Sequence, residues 1–402
     1  MVKLCNYRIR LSVAPEESNI AVEAAIRLSL ENGDVDCLTF NLHKEFIVDY
    51  AKADKPLGFD FLGDSKSSNP FMPDARPLRI YLRRRRPRDE KLLLRLKYSG
   101  PLKDLTWKTN RVTCEWTELG LYRAWFPINP DYGEFIYSVL VSAPDSLNVV
   151  GLGKISRARK GWLLDEKEKV NDVVVIASPR LKSSFVKKGE LSMNLHYVEL
   201  NRVFRDYLRE NVPWLLNTFQ PWFGGTSIKE ITIVVLPGFR VKGGGYSRKG
   251  FVVLCPEKKP NEESFRYIAH EIAHLWRMNA PSASWEDWLN ESFAEYSALM
   301  ALRERFGDET FQRFLRRKSE KVKGLPPIQG LQREDEKAFD VLYNKGPALL
   351  GKLESRIGKE KFITLLRESS TRKVRLTSEF LGVLNCISSA KNKKWFKELL
   401  KT

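Results

Sequence analysis

Apolar and polar side chains alternate through the first half of the chain. Tyr7-Arg8-Ile9-Arg10-Leu11-Ser12-Val13, Ile26-Arg27-Leu28-Ser29-Leu30 and Leu78-Arg79-Ile80-Tyr81-Leu82 repeat with period two, which is the pattern of a half-buried strand. Turn chemistry separates such runs at Glu31-Asn32-Gly33-Asp34, at Asn129-Pro130-Asp131-Tyr132-Gly133 and at Pro144-Asp145-Ser146. The stretch 57–77, rich in Gly, Pro, Ser and Asp, reads as a long surface loop. Strand-like runs continue over Phe135 to Val141, Val149 to Ile155 and Val173 to Ile176. No helical period of useful length occurs before Tyr197, so residues 1–197 are expected to form an antiparallel β-sandwich or saddle-shaped sheet.

The period then changes. Leu200, Val203, Phe204, Tyr207 and Leu208 fall at i, i+3, i+4, i+7 and i+8, predicting an amphipathic helix from Tyr197 to about Phe219 and a domain boundary just before it. Two apolar strand candidates follow, Ile231 to Leu236 and Gly250 to Leu254, joined by a segment containing Gly243-Gly244-Gly245. Consecutive glycines leave backbone uncovered, so this segment is either a place where an extended peptide pairs or a flexible loop. Helices are expected from near Asn261 to the end: one over Trp285 to about Phe306, one from Asp308 to about Val322, then, after Pro326-Pro327, from Glu336, Lys359 to Glu368, Thr377 to about Leu384 and Lys391 to Leu400. Ser284, Asp308, Thr377 and Ser378 are candidate N-caps. The reading is α+β: a β-rich domain over 1–197 and a mostly helical domain with a small sheet over 198–402.

Composition narrows the classes. A chain of 402 residues, 43% hydrophobic and 11% aromatic, suits two globular domains and excludes disorder. There is no secretory apolar start and no apolar run of 18 residues, so no membrane segment is expected and the expected location is cytoplasmic. Five scattered cysteines, none in a CxxC pair, fit reduced thiols. The formal charge of +18 would attract nucleic acid, anionic membrane or acidic peptides. The basic runs, Arg83 to Arg86 with Arg88, Arg316-Arg317-Lys318 and Lys393-Lys394, are far apart and not interleaved with aromatics. No nucleic-acid motif accompanies them, and they read as solvated surface.

The chemistry gathers at His270-Glu271-Ile272-Ala273-His274. Histidines four apart on a helix share a face and reach one metal ion, with the intervening glutamate on the metal's open side as a general base. Only 4 of 402 residues are histidine, and random placement would give roughly 0.005 such matches in a chain of this make-up. The other two, His43 and His196, have no partner motif and read as structural.

These residues, with Trp276 and with Trp288-Leu289-Asn290-Glu291-Ser292-Phe293-Ala294, resemble the HExxHxW and WLNEGFA motifs of the aminopeptidase N-like gluzincin zinc metallopeptidases. The resemblance implies a thermolysin-like catalytic domain, a peptide or protein substrate and one Zn²⁺ per chain held by His270, His274 and Glu291. Glu271 would be the base. Tyr343-Asn344-Lys345-Gly346 matches the family's YxKG motif, which implies that Tyr343 donates to the transition-state oxyanion. Glu295, one turn beyond Glu291, is a candidate to hold the far nitrogen of a ligand histidine. Three departures stand out: 16 rather than 18 residues separate His274 from Glu291, Ser292 replaces the family's glycine, and the glutamate of the GxMEN motif, which binds the substrate's free α-amine, is missing where Gly243, Gly244, Gly245 and Tyr246 stand. The backbone of Gly243 to Gly245 remains the expected substrate-pairing edge, and Asp131 or Glu134 is an alternative source of an amine anchor. Two function classes follow: a zinc peptidase, exo- or endo-acting, and an inactive relative that binds an anionic partner.

Overall fold

The computed structural model describes all residues except 1, 32–34, 54–57, 63–64, 66–70, 87, 104–110, 130–132, 226–227, 239–243 and 277–279; the elements below are those of the described residues. The chain divides into two compact units, Met1–Ser183 with His196–Val198, and Ser184–Leu195 with Glu199–Thr402. No described helix is long and apolar enough to cross a membrane.

The first unit is built from strands β1 (Val2–Ala14), β2 (Asn19–Leu30), β3 (Val35–His43), β4 (Ile47–Ala53), β5 (Phe59–Phe61), β6 (Ala75–Arg86), β7 (Lys91–Pro101), β8 (Thr117–Leu119), β9 (Phe135–Ser142), β10 (Asn148–Gly151), β11 (Lys154–Ala158), β12 (Gly161–Val170) and β13 (Val175–Ser178). They form a seven-stranded sheet in the order β11-β12-β9-β1-β2-β7-β4 and two three-stranded sheets, β10-β13-β8 and β3-β6-β5. The pairing is antiparallel except between β1 and β9, which run parallel. Period two decides which side chains go inside: along β2 every second residue from Ile20 to Leu30 is buried, and β9 and β7 alternate likewise. The expected loop over 57–77 is partly ordered as β5, which pairs with β6 through Phe59↔Ile80 and Phe61↔Leu78; three residues are too few to show a period.

At the core of this unit, the Tyr7 ring lies 4.3 Å from that of Phe135 and its buried hydroxyl donates to Pro127 O at 2.8 Å. Burying a ring of this kind is worth about 1.5–3 kcal/mol, provided the polar end finds a partner. His43, 2% exposed, accepts from Glu45 N at its Nδ1. Burial, with Arg123 adding to it, pushes this imidazole down to about 4.

The second unit opens with a hairpin, β14 (Lys182–Lys188) and β15 (Leu191–Tyr197), which continues through β16 (Glu230–Val235) into β17 (Tyr246–Arg248) and β18 (Phe251–Leu254). The sheet order is β14-β15-β16-β18-β17, so β17 is an edge. Helix α1 (Arg202–Phe223) starts where Asn201 accepts from Phe204 N at 2.7 Å, a cap worth about 1 kcal/mol. Helix α2 (Glu262–Ala273) starts with a reciprocal Asn261–Ser264 capping box. Then come α3 (Trp288–Phe306), α4 (Asp308–Glu320), the single turn α5 (Ala338–Asp340), a π-turn over Val341–Lys345, α6 (Gly346–Ile357), α7 (Lys359–Thr371), α8 (Thr377–Ile387) and α9 (Ala390–Leu399).

Two cap assignments are corrected. Gly307 precedes α4, and Asp308 is its first residue, where a carboxylate still favours the helix dipole. Leu376 holds the cap position of α8, because the Thr377 hydroxyl is occupied elsewhere: it accepts from Trp288 Nε1 at 2.7 Å and donates to Glu286 Oε2 at 2.5 Å.

Candidate active site

Helix α2 carries His270 and Glu271, and His274 continues it as its last, still right-handed helical residue. Both imidazoles therefore keep the i, i+4 relation, with their Nε2 atoms 3.1 Å apart. The loop to the next helix is short. Ser284 caps a 3₁₀ turn at Trp285–Asp287 that runs directly into α3, so Glu291 arrives in its first turn despite the 16-residue spacing. Asn290 secures the approach by donating to Ala280 O at 3.0 Å and accepting from Ala280 N at 3.2 Å. Buried Trp288 anchors the turn from the other side.

The outcome is a triangle of donor atoms. Glu291 Oε2 lies 3.4 Å from His270 Nε2 and 3.5 Å from His274 Nε2, and His270, His274 and Glu291 form a cluster able to hold a metal. A tetrahedral zinc with bonds of about 2.0–2.1 Å sets neighbouring ligand atoms roughly 3.3–3.4 Å apart. The observed edges of 3.1, 3.4 and 3.5 Å fit that ion without rearrangement.

Glu295 lies one turn beyond Glu291 on α3. It is 1% exposed, and its Oε2 sits 2.9 Å from His270 Nδ1, which leaves Nε2 to face the metal position. Its Oε1 receives Arg266 Nη1 at 2.6 Å and Lys318 Nζ at 2.5 Å. Burial opposes the charge on Glu295, yet Lys318, Arg266 and His270 hold its carboxyl far below the usual range. Burial would lower His270, but Glu291 and Glu295 outweigh it and lift it to about 10. Burial raises Glu271 above the ordinary carboxylate value, offset in part by the two histidines, the direction expected of a proton acceptor kept out of bulk water.

Glu271 packs against the edge strand. Ser247 Oγ of β17 lies 2.6 Å from Glu271 O and 3.1 Å from Glu271 Oε2. Gly245, just before β17, leaves the space beside it: a Cβ there would come within 2.3 Å of Tyr267 Oη, 2.9 Å of Glu271 Oε1 and 3.0 Å of Val253 O. Gly244 and Gly245 lead into the β17 edge, whereas Gly243 and Asp131 lie outside the described residues. Glu134 is exposed in the first unit.

Tyr343 sits on the π-turn, a feature that often marks functional sites. Its ring stacks on that of His270 at 5.3 Å and 27°, and its hydroxyl donates to Glu291 Oε2 at 2.5 Å. Burial and the Glu291 charge raise the phenol well above its usual value, so it is a donor at neutral pH. Ser292, the residue standing for the family's glycine, donates to Leu342 O at 2.7 Å. Gly346 makes this possible, since a Cβ there would fall 1.9 Å from Ser292 Oγ.

The sequence does not mark Ser247 or Arg266 as site residues, and Lys318, read with Arg316-Arg317 as solvated surface, is instead 9% exposed and part of the site. Arg266 lies four residues before His270, so the helix period could have found it. Ser247 and Lys318 arrive from other elements and carry no local signal.

The arrangement resembles that of a gluzincin, in which a histidine pair on one helix and a glutamate from the next face a single metal position. Residues 251–394 match the peptidase family M1 domain, so this part of the chain is similar to the peptidases whose motifs it carries. The chain is 27% identical over 155 residues to a leucyl aminopeptidase of Saccharolobus solfataricus, covering 34% of this chain and 20% of that protein. It is 32% identical over 151 residues to leucine aminopeptidase 2 of Emericella nidulans, covering 33% of this chain and 24% of that one. The chain thus spans a fifth to a quarter of the length of these relatives. The fold is that of an M1 zinc metallopeptidase from Deinococcus radiodurans (TM-score 0.80, 17% identity, 100% of this chain and 94% of that one), a mutant form of which has been seen with a Tyr-Ser-Ala substrate.

Proposed function

We propose that this protein hydrolyses peptide bonds with one zinc ion held by His270, His274 and Glu291. The observation that carries the reading is the donor triangle with buried Glu271 beside it and the Tyr343 hydroxyl 2.5 Å from Glu291 Oε2. Zinc, when bound, supplies Lewis acidity, acidifying water toward neutral pH and polarising a carbonyl. Glu271 takes the proton of the attacking water and passes it to the leaving amine. The Tyr343 hydroxyl donates to the oxygen of the former carbonyl as negative charge develops there, a type of interaction worth about 3–4 kcal/mol of barrier. Glu295 keeps the His270 proton on Nδ1. The β17 edge, reached through Gly244 and Gly245, pairs with an extended substrate.

The missing GxMEN glutamate gives the proposal its substrate preference. An ammonium bound in a desolvated pocket without a carboxylate weakens binding, so free amino termini bring little advantage and blocked peptides are cleaved about as well. The five free cysteines fit a reducing, cytoplasmic setting.

The test is incubation of zinc-loaded protein with a mixed peptide library, cleavage sites being read by mass spectrometry, followed by one good substrate with a free and an acetylated amino terminus. Cleavage of both forms at comparable rates is expected. Strong loss on acetylation returns the protein to amino-terminal trimming, and no cleavage by protein with bound zinc returns it to a binding role.

A further inference from the structure

The π-turn that carries Tyr343 runs directly into Gly346-Pro347. Proline has no N–H, so a carbonyl of the preceding turn loses its backbone donor: Leu342 in the five-residue register, Tyr343 in the four-residue register. Side chains from two other helices stand at those two carbonyls. Ser292 of α3 donates to Leu342 O, and Lys318 of α4 donates from Nζ to Tyr343 O, both at 2.7 Å.

Lys318 has a second contact, 2.5 Å from Glu295 Oε1, and Glu295 in turn holds His270 Nδ1. One ammonium therefore joins the peptide unit that aims the Tyr343 ring to the carboxylate that orients His270. Charge neutralisation alone does not account for it, because Arg266 already reaches the same Oε1 at 2.6 Å. A lysine 9% exposed is costly to bury, and burial pushes its ammonium below the usual value. What the lysine adds is the Tyr343 carbonyl.

We propose that Lys318 is a positioning residue that couples Tyr343 to the His270–Glu295 pair, so that phenol and imidazole keep one relative geometry. The inference rests on the peptidase reading for its kinetic consequence, but its metal-binding consequence is independent of turnover. A shift of about 1 Å in a reacting group can cost on the order of 100-fold in rate. Lys318→Met should accordingly lower kcat by about 10–100-fold with KM nearly unchanged. In a Tyr343→Phe background the same substitution should cost less than about twofold, because the hydroxyl it aims is gone. Lys318→Met should also weaken zinc several-fold in a chelator competition through the loosened Glu295, whereas Tyr343→Phe should not. Lys318→Gln, a milder change, should show the same pattern at smaller size and serves if the Met variant does not fold.

A parental kcat in Lys318→Met, or losses that simply add in the double variant, would overturn the coupling. If the parent cleaves nothing, the peptidase reading fails by itself, and zinc affinity then decides: an unchanged value in both Lys318 variants overturns the proposal and a weakened one upholds the Lys318–Glu295–His270 link.

Discussion

Replacing Glu295 with Ala removes a carboxylate that three groups share. His270 Nδ1 at 2.9 Å, Arg266 Nη1 at 2.6 Å and Lys318 Nζ at 2.5 Å all converge on it. The variant leaves the Arg266 and Lys318 cations facing each other in a space where Glu295 itself is 1% exposed. Breaking one side of a buried ionic cluster costs about 3–5 kcal/mol. For a unit of about two hundred residues, each kcal/mol lowers Tm by about 2–4 °C, so a drop of roughly 6–20 °C is expected. His270 also loses the acceptor that fixes its tautomer, and zinc affinity should fall by about 10–100-fold. Because the folded-state value of Glu295 lies below its unfolded value of 4.5, its contribution is fully present above pH 4.5 and fades as pH falls below it. The gap in Tm between parent and variant should therefore narrow in acid. Differential scanning calorimetry over pH 3–8 and a chelator titration read the two effects. A variant that melts with the parent and binds zinc equally would refute the shared-carboxylate account.

Other substitutions separate the parts. Glu271→Gln should keep zinc and lose hydrolysis by several orders of magnitude, since an amide cannot take the proton; retained turnover would remove Glu271 from its role. Gly245→Ala should impair peptide turnover at least tenfold by displacing Glu271 or Tyr267, while metal content stays at the parental level; parental kinetics would show that the neighbours give way at no cost. The first unit should lose stability as pH falls from about 6.5 toward 4, because His43 is about 4 when folded and 6.5 in its reference state, a difference worth about 3 kcal/mol. Asp74, Arg123, Lys44 and Arg76 set its local field, and His43→Gln should flatten this part of the acid profile.

What the sequence disclosed and what it withheld follow one physical rule. His270, Glu271 and His274 are readable because a helix converts a spacing of four into a shared face, and Glu295 because it repeats that spacing from Glu291. The long strands were readable from period two, but three-residue β5 and β17 were not. Ser247 and Lys318 meet their partners across 24 and 25 residues of chain, respectively, and nothing periodic links such positions. Pro347 was visible in the sequence, and its missing N–H implied a carbonyl in need of a donor, but the identity of that donor belongs to tertiary packing. The cap at Leu376 eluded propensity for the same reason, since Trp288 and Glu286 had claimed the Thr377 hydroxyl.

Ser292 and Gly346, 54 positions apart, fill one space: the hydroxyl of the first occupies the volume that any side chain on the second would need. Position 346 is not free to drift alone. A larger residue at 346 is tolerable only if 292 shrinks to glycine, and that exchange would remove the donor at Leu342 O along with the crowding. Among sequences related to this one, a side chain at 346 should be found only where 292 is glycine, and Ser292→Gly with Gly346→Ala should fold better than Gly346→Ala by itself, a rescue that a double-mutant cycle would measure directly.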